Sequence, residues 1–542
     1  MKIENFSKCL AHHILVIFII LAFFHSYASA SVSYFPTSEW QISTPEAQGM
    51  HSKPILEMMT AIKKKGYTIQ NVSIIRNGYL VLDAYIYPFK DGQKHGTYSV
   101  TKSVISALIG IAIDKGYIKN VNQTITELFP NKKIANLDEL KRSLTLKDLL
   151  IMASGFDCND ASANRWAGTI AMTKSSDWTQ YTLNLPMAQT PGEYFHYCNG
   201  VSHLLSAIIQ ESSGMKTVEF AKKYLFDPLG IEDVDWAESP EGTSNGFSGL
   251  RLKPKDMAKI GLLYLNQGKW ENKQIISVEW ISVSTRPYID GRWNGEDYGY
   301  QWWINPAGYY SAVGMYGQAI YVIPDKNLVA VFTSHITGKD MYISGTLLKE
   351  YIIPAIASSG PLPPDPENNA QLDNFLAGTA KAPTQGIIWL SEKQGIAKDG
   401  VFKRKASPSF QFTYPLGSTK AELGLPSQIM RMKTPEGIVF AATIMDIPEG
   451  VKLEDFGPVY IVKWFRIYRY GSNLKVTSNE EITLKDGTQA YQTNFTWVWN
   501  NTDAMTTFQV SAYKDGKCIF LSTHPWQNPA KYEPIVQSLT FE

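Results

Sequence analysis

Apolar residues fall in two runs along Asn71 to Tyr87, "NVSIIRNGYLVLDAYIY", set either side of Asn77-Gly78. That dipeptide accepts positive φ at both central turn positions, so the pattern predicts a β-hairpin. The period then changes. Val104, Ile105, Leu108 and Ile109 recur at helical spacing, and Ile111, Ala112 and Ile113 leave few polar positions. This predicts a centrally buried helix. "TLKDLLIMASG" (145–155) predicts a helix that starts on a Thr cap and ends on Gly. "VSHLLSAIIQESSG" (201–214) and "KPKDMAKIGLLYLNQG" (253–268) read as two more amphipathic helices. Strands return in "GQAIYVIPDKNLVAVFTS" (317–334), turning at Pro-Asp-Lys-Asn, and helical "YISGTLLKEYIIPAI" (342–356) closes the region. Strands from both ends thus enclose a helical middle, which predicts one antiparallel sheet with helices packed on it.

"SSGPLPPDPENNA" (358–370) is a Pro-rich break, and after it the pattern is mostly β. "GIVFAATIMDIP", "ITLKDGTQAYQTNFTWVW" and "FQVSAYKDGKCIFLST" are strand runs, two of them turning at Asp-Gly, and "YIVKWFRIYRYG" (460–471) reads as the clear helix there. The expected organisation is a leader over 1–30, a first domain over 31–357, a linker over 358–389 and a smaller α+β domain over 390–542.

Length agrees, since 542 residues exceed one ordinary core. A hydrophobic fraction of 44% against 19% charged marks a globular chain. A net charge of +1 gives no field that would gather nucleic acid or an anionic membrane. Lys2 and Lys8 precede the apolar run Ile14 to Phe24, and Ala28-Ser-Ala30 offers small residues for cleavage before Ser31. The run is short for a bilayer span, so it reads as a cleavable export signal. The expected destination is periplasmic or secreted, with no stable membrane span after cleavage. Cleavage leaves Cys158, Cys198 and Cys518 in an oxidising compartment. Cys158–Cys198 is the expected disulfide and Cys518 the odd one, the alternative being three reduced, buried thiols.

Ser-x-x-Lys occurs four times, at Ser99/Lys102, Ser213/Lys216, Ser472/Lys475 and Ser511/Lys514. The last two lie in extended segments, where i and i+3 point to opposite faces. Ser213/Lys216 straddles a helix end and a Gly. Ser99 opens the buried helix, and Lys102 falls on the same face one turn on. There the free N–H groups and positive end of a helix suit an oxyanion. Burial beside that end disfavours an ammonium, so Lys102 could take the seryl proton. On this pair alone, Ser99 as a helix cap and Lys102 as a solvated helix residue are the stronger reading.

Tyr197-Cys-Asn199, 98 residues after Ser99, shifts the balance. Ser99-Val-Thr-Lys102 with Tyr197-Cys-Asn199 resembles the serine β-lactamase and penicillin-recognising hydrolases. The likeness is to the class C branch with its esterases, D-amino-acid peptidases and 6-aminohexanoate-dimer hydrolases. "LTLKDLLIMASGFD", "GLRLKPKDMAKIGLLYLNQGKW" and "YGYQWW" extend the resemblance over residues 40–356. It implies an α/β (α+β) fold, a β-lactamase/transpeptidase-like antiparallel sheet flanked by helices with an all-helical subregion. It implies an acyl-enzyme on Ser99, with Lys102 and Tyr197 moving protons and no cofactor or metal. Asn199 would orient Lys102 and donate its amide to substrate, the alternative being a helix cap. A second Tyr-x-Asn, Tyr264-Leu-Asn266, lies inside an amphipathic helix and reads as core.

The family's Lys-Thr-Gly is replaced here by Met315-Tyr316-Gly317, so Tyr316, Gly317 and the N–H of Gln318 are the substrate-binding candidates on that strand. Loss of the Lys argues against efficient β-lactam turnover. The expected substrate is a small-molecule or short peptide or ester compound. A non-catalytic binding or sensor protein on the same fold is the alternative. Gly242-Thr-Ser-Asn-Gly246 matches Gly-x-Ser-x-Gly but lacks the strand and helix of a nucleophile elbow, so it reads as a flexible polar loop. Asp157 to Asp160 reads as a polar loop and not a metal site, and His196 as unneeded for a triad. Segments such as "SFQFTYP" and "IVQSLTFE" give the C-terminal domain a diffuse resemblance to PsbP. That domain reads as a substrate-gating appendage or a surface for a protein partner.

Overall fold

The structure is a computed structural model. It describes residues 34–541 except 88, 159, 161–165, 294, 337, 382–387, 392–394, 399–400, 406–407, 416–417, 421–427, 435–438, 447–451, 456–471, 500–502 and 525–532. The leader and the helix expected at 460–471 lie outside the described residues.

The strand runs at the two ends of the first region meet in one sheet. Its strands are β1 (Ile69–Arg76), β2 (Tyr79–Tyr85), β3 (Ile289–Trp293), β4 (Glu296–Tyr298), β5 (Trp303–Asn305), β6 (Tyr309–Gly314), β7 (Gln318–Ile323) and β8 (Leu328–Ser334). They lie in the order β2-β1-β8-β7-β6-β5-β4-β3, and each pair is antiparallel. The hairpin at Asn77-Gly78 takes φ of 53° and 85°, as expected for that dipeptide.

Every residue of β8 is buried, and side-chain alternation divides them between two cores. Val329 and Val331 join the core beneath helix α2 (Val100–Asp114), while Leu328, Ala330 and Phe332 join the core beneath α1 (Ser52–Lys65). The sheet is therefore covered on both faces, which explains why its central strands read as near-continuous apolar runs.

The helical middle contributes α3 (Glu139–Ser143), α4 (Leu146–Leu150), α5 (Ala167–Thr173), α6 (Trp178–Leu183) and α7 (Asn199–Ser213). Helix α8 (Pro254–Leu265) returns to the sheet. Tyr264 is fully buried against Trp302 at 4.5 Å, in the core role expected of it. Helix α4 begins on a Thr145–Asp148 capping box but stops at Leu150, short of Gly155. Gln301 causes this: its side-chain amide donates to the carbonyls of Leu149 (3.2 Å) and Leu150 (2.9 Å). The same residue accepts Ser103 Oγ on α2 at its carbonyl (2.7 Å) and Ser202 Oγ on α7 at its side chain (2.8 Å). One buried glutamine thus cross-braces three helices.

Part of the stretch expected as linker packs on the first unit. Asp365 caps α9 (Pro366–Thr379) through Asn368 N. Leu372 is buried in the α1 core, and Asn369 Nδ2 donates to Glu46 at 2.7 Å.

Beyond it lie β9 (Ile388–Ser391), β10 (Gly395–Lys398), β11 (Val401–Arg404), β12 (Phe410–Thr413), β13 (Thr419–Lys420), β14 (Gln428–Lys433) and β15 (Val439–Met445). They are followed by β16 (Ser472–Thr483), β17 (Gln489–Trp499), β18 (Asp503–Lys514), β19 (Lys517–His524) and β20 (Thr540–Phe541). These form a five-stranded sheet, β9-β10-β11-β12-β20, and a seven-stranded sheet, β13-β14-β15-β19-β18-β17-β16. Phe402, Phe410 and Phe412 of the first share a core with Met430, Phe440 and Leu521 of the second. Cys518 on β19 is a buried free thiol, pushed up to about 12 by desolvation. Among the described residues no helix is long and apolar enough to cross a membrane.

Lys141 on α3 is fully buried, and its ammonium donates to the carbonyls of Ala135 (2.8 Å), Leu183 (3.1 Å) and Leu185 (2.6 Å). Lys141→Met leaves these acceptors unpaired, so we expect a loss of about 2–4 kcal/mol, read from the urea midpoint at unchanged m-value.

Candidate active site

Thr97 to Ser99 turn the chain into α2. Tyr98 adopts φ of 49°, a region bulky residues rarely occupy. Ser99 stands at the N-cap position, yet its hydroxyl caps no backbone N–H. It lies instead 3.0 Å from Lys102 Nζ. Lys102 is 2% exposed, so the solvated-lysine reading is set aside. Its amine also donates to the carbonyl of Phe247 at 2.9 Å and sits 4.9 Å from the centre of the Tyr197 ring. Desolvation drives Lys102 well below the usual amine range, with the charge of Asp160 opposing. Ser213, Ser472 and Ser511 show no such arrangement. Ser213 ends α7 before Gly214 at φ of 70°, and the other two lie in strands β16 and β18.

Tyr197 packs between Trp166 and Trp303, at 6.3 Å from each ring. Desolvation raises its phenol above the usual range, and a hydrogen bond with Ser99 only partly offsets this. The same dry surroundings thus push both groups toward their neutral forms.

The acceptor for Lys102, the carbonyl of Phe247, directly follows the Gly-Thr-Ser-Asn-Gly stretch, which is largely buried and not the flexible loop expected. Ser244 is fully buried and cannot serve as a nucleophile. Its carbonyl accepts Ser206 Oγ at 2.7 Å. Asn245 Oδ1 accepts the N–H of Phe247 (3.1 Å) and of Ser248 (3.0 Å), which fixes the Phe247 peptide beneath Lys102.

The expected Cys158–Cys198 disulfide is present, tying the segment that bears Asp160 to the centre of Tyr197-Cys-Asn199. Cys158, Asp160 and Cys198 are a group of three potential metal ligands, but the sulfurs are bonded to each other and only a carboxylate remains. Asp160 is 4% exposed. It accepts Thr169 N (2.6 Å), Thr169 Oγ (2.7 Å) and Asn199 N (3.1 Å). Asn199 is the first residue of α7 and Cys198 its cap. Its amide donates to Thr169 Oγ at 2.9 Å, and Lys102 donates its hydrogen bonds to Ser99 Oγ and the Phe247 carbonyl. The orienting role expected of Asn199 thus falls to the Phe247 carbonyl.

A cleft of about 360 Å³ opens over Ser99, lined also by Tyr98, Trp166, Thr169, Asn199, Phe247, Ser248 and Met315. The residue that the β6–β7 turn presents to it is Met315. Tyr316 takes φ of 64° and Gly317 φ of 89°, which rotates the chain away from the cleft. Tyr316 stacks on His335 at 4.7 Å and touches Tyr98 edge-on at 5.1 Å. Gly317 is packed so closely on Ser334 that a Cβ would collide with its hydroxyl. Gln318 spends its amide on the Ser334 carbonyl at 2.6 Å. Tyr316, Gly317 and Gln318 are not among the residues that line the cleft. Gly314 matters instead: a Cβ there would stand 3.1 Å from Ser99 N, so glycine lets this strand end close on the nucleophile's own amide.

A family model described as Beta-lactamase matches residues 64–348, a span that holds Ser99, Lys102, Tyr197 and the β6–β7 turn. The chain belongs to the beta-lactamase family. This beta-lactamase-family chain is 24% identical over 280 residues to the 6-aminohexanoate-dimer hydrolase of Paenarthrobacter ureafaciens, covering 48% of the chain and 70% of that protein. Among solved structures it is similar to a family VIII carboxylesterase (14% identity, TM-score 0.46, covering 58% of this chain and 98% of that one). It is also similar to the octameric penicillin-binding protein homologue of Pyrococcus abyssi (17% identity, TM-score 0.43, covering 86% and 99%).

The depressed Lys102 makes stability depend on pH. Its folded value lies well below that of an ordinary lysine, so across that window the unfolded chain binds the extra proton and stability rises with pH. Lys102→Met removes this dependence. Its melting temperature relative to wild type is expected to be most favourable near about pH 7 and to lose that advantage toward about pH 10. Parallel melts that keep a constant difference across that range refute the neutral amine.

Proposed function

We propose that this protein is an exported serine hydrolase that cleaves an ester or amide through an acyl-enzyme on Ser99. The observation that carries the reading is a buried amine, disposed to be neutral, 3.0 Å from a hydroxyl that caps nothing on the floor of an open cleft. Ser99 Oγ attacks the carbonyl carbon while its proton passes to Lys102 Nζ. The helix-end N–H of Ser99 stabilises the oxyanion. The second donor is assigned to Met315, the residue of the β6–β7 turn on the cleft wall, in place of Gln318. Tyr197, held as a neutral phenol, hands a proton to the leaving group and is replenished from Lys102. Water then takes the leaving group's place and reverses the proton path to free Ser99.

The 6-aminohexanoate-dimer hydrolase relative supports an amide or ester substrate. The residues lining the cleft include no cationic side chain, which argues against substrates held by a carboxylate, β-lactams among them. Export is supported by the charged, apolar and small-residue pattern of residues 1–30 and by the disulfide. For the C-terminal unit, the reading as a PsbP-like partner surface or gate rests on sequence segments and supplies no chemistry to the site.

A fluorophosphonate probe is expected to add one label to wild type at Ser99 and none to Ser99→Ala, by intact mass and peptide mapping. Lys102→Met should lower kcat on a short-chain aryl ester by about 10²–10⁴-fold. Folded wild-type protein that neither labels nor turns over esters would establish the non-catalytic alternative. Nitrocefin should be hydrolysed slowly or not at all, and fast turnover at micromolar concentration refutes the exclusion of β-lactams.

A further inference from the structure

Tyr197 reaches the site from a segment with little to hold it. Residues 191–197 form no helix or strand and are exposed or half-buried, whereas Cys198, Asn199 and Gly200 are buried. The N–H of His196 donates to the Met152 carbonyl at 2.7 Å, and that of Asn199 to Asp160 at 3.1 Å. Between these anchors, the N–H groups of Tyr197 and Cys198 meet no acceptor among the described residues. The rings of Trp166, Trp303 and Phe195 have centroids 6.3, 6.3 and 6.5 Å from that of Tyr197, toward the far end of the range for ring contacts.

The disulfide supplies the missing hold. Cys198 is extended, at φ of −136° and ψ of 116°. In an extended chain successive side chains point to opposite faces, so Tyr197 and Asn199 face one way and Cys198 the other. Cys198 is bonded to Cys158, which is itself buried. Anchoring the middle residue from behind keeps its two neighbours facing forward, Asn199 at the cleft wall and Tyr197 within hydrogen-bond reach of Ser99. Ser99 and Lys102 are held by other means. Lys102 is fixed by the Phe247 carbonyl at 2.9 Å, and Ser103 beside it by the Gln301 carbonyl at 2.7 Å.

We propose that Cys158 and Cys198 are positioning residues for Tyr197, and that their disulfide governs proton transfer to the leaving group while leaving the nucleophile and its base untouched. The inference rests on the acyl-enzyme reading and assigns the acid half of that chemistry to the oxidised state of this cysteine pair.

The test uses mature enzyme and butanoate esters whose alcohols run from 4-nitrophenol through phenol to ethanol. All give the same acyl-enzyme, and kcat/KM reports the steps up to its formation. 4-Nitrophenolate departs without a proton, whereas ethoxide needs one. Cys158→Ala/Cys198→Ala should lose about 10²-fold or more in kcat/KM on the ethyl ester, the range of a lost general acid, and less than about 10-fold on the 4-nitrophenyl ester. Cys158→Ser/Cys198→Ser is a second route to the uncrosslinked chain and should behave alike. Tyr197→Phe should show the same steepened dependence on the leaving group. A fluorophosphonate, whose fluoride leaves without a proton, should still label Ser99 in all three variants. An equal loss on every ester in labelled cysteine variants is the mark of a merely structural cross-link and overturns the proposal. Cysteine variants that neither fold nor label overturn the independence of Ser99 and Lys102 from the disulfide. A Tyr197→Phe enzyme that keeps the wild-type dependence overturns Tyr197 as the acid. Absence of labelling in wild type overturns the acyl-enzyme reading, and this inference with it.

Discussion

A primary amine taken out of water at the start of a buried helix is the constraint around which the first domain is arranged. Transferring an ammonium to such a place costs several kcal/mol. Losing the proton avoids most of that cost, provided the amine still finds partners. Lys102 finds two, the hydroxyl of Ser99 and the carbonyl of Phe247. Neither is anionic, so nothing in direct contact recharges it. The carboxylate of Asp160 accepts its hydrogen bonds from Thr169 and Asn199, so it acts on the amine only as a field. A salt bridge at the same position would hold the proton and forfeit the base.

An amine in so unfavourable a site stays there only if the helix under it cannot shift. Gln301 ties α2 to α4 and α7 through four hydrogen bonds from one side chain and its backbone. Asn245 fixes the Phe247 peptide. Glu241, at the head of the same stretch, receives Thr179 at 3.0 Å and lies 3.1 Å from the His203 ring nitrogen on α7. The disulfide joins Asp160's segment to the Tyr197 segment. These specific bonds, and not bulk packing alone, hold the candidate functional groups in place.

This explains what the sequence could and could not reveal. The hairpins, the buried α2 and the amphipathic α7 and α8 were legible because apolar periodicity and turn residues are local signals. Ser99, Lys102 and Tyr197 were legible because helical spacing and a second motif coincide. The turn after β6 was misread by one to three residues. Alignment on a missing Lys-Thr-Gly could not show that Tyr316 and Gly317 take positive φ and carry the chain off the cleft. The early end of α4 was hidden because Gln301, 151 residues beyond Leu150, causes it. The acceptor of Lys102 is a backbone carbonyl, which no residue type announces. Asp160 was visible only as one acid in a polar stretch, since its importance comes from burial against Thr169 and Asn199.

The same desolvation that frees the amine binds the phenol's proton more tightly. Lys102 falls below its usual range and Tyr197 rises above its own, so the two groups are driven apart into a base and an acid by one environment. A phenolate at Tyr197 would need a nearby cation to sustain it, and the neighbouring amine is the group least disposed to be one. In the proposed mechanism this orders the steps: Lys102 acts first, because an ammonium 4.9 Å from the Tyr197 ring centre then favours proton release by the phenol. Asp160 favours the protonated form of both groups, opposing the fall at Lys102 and adding to the rise at Tyr197, so its field favours an ammonium at Lys102. The carboxylate that accepts from Thr169 and Asn199 thus also lowers the cost of the ammonium that the proposed proton transfer creates.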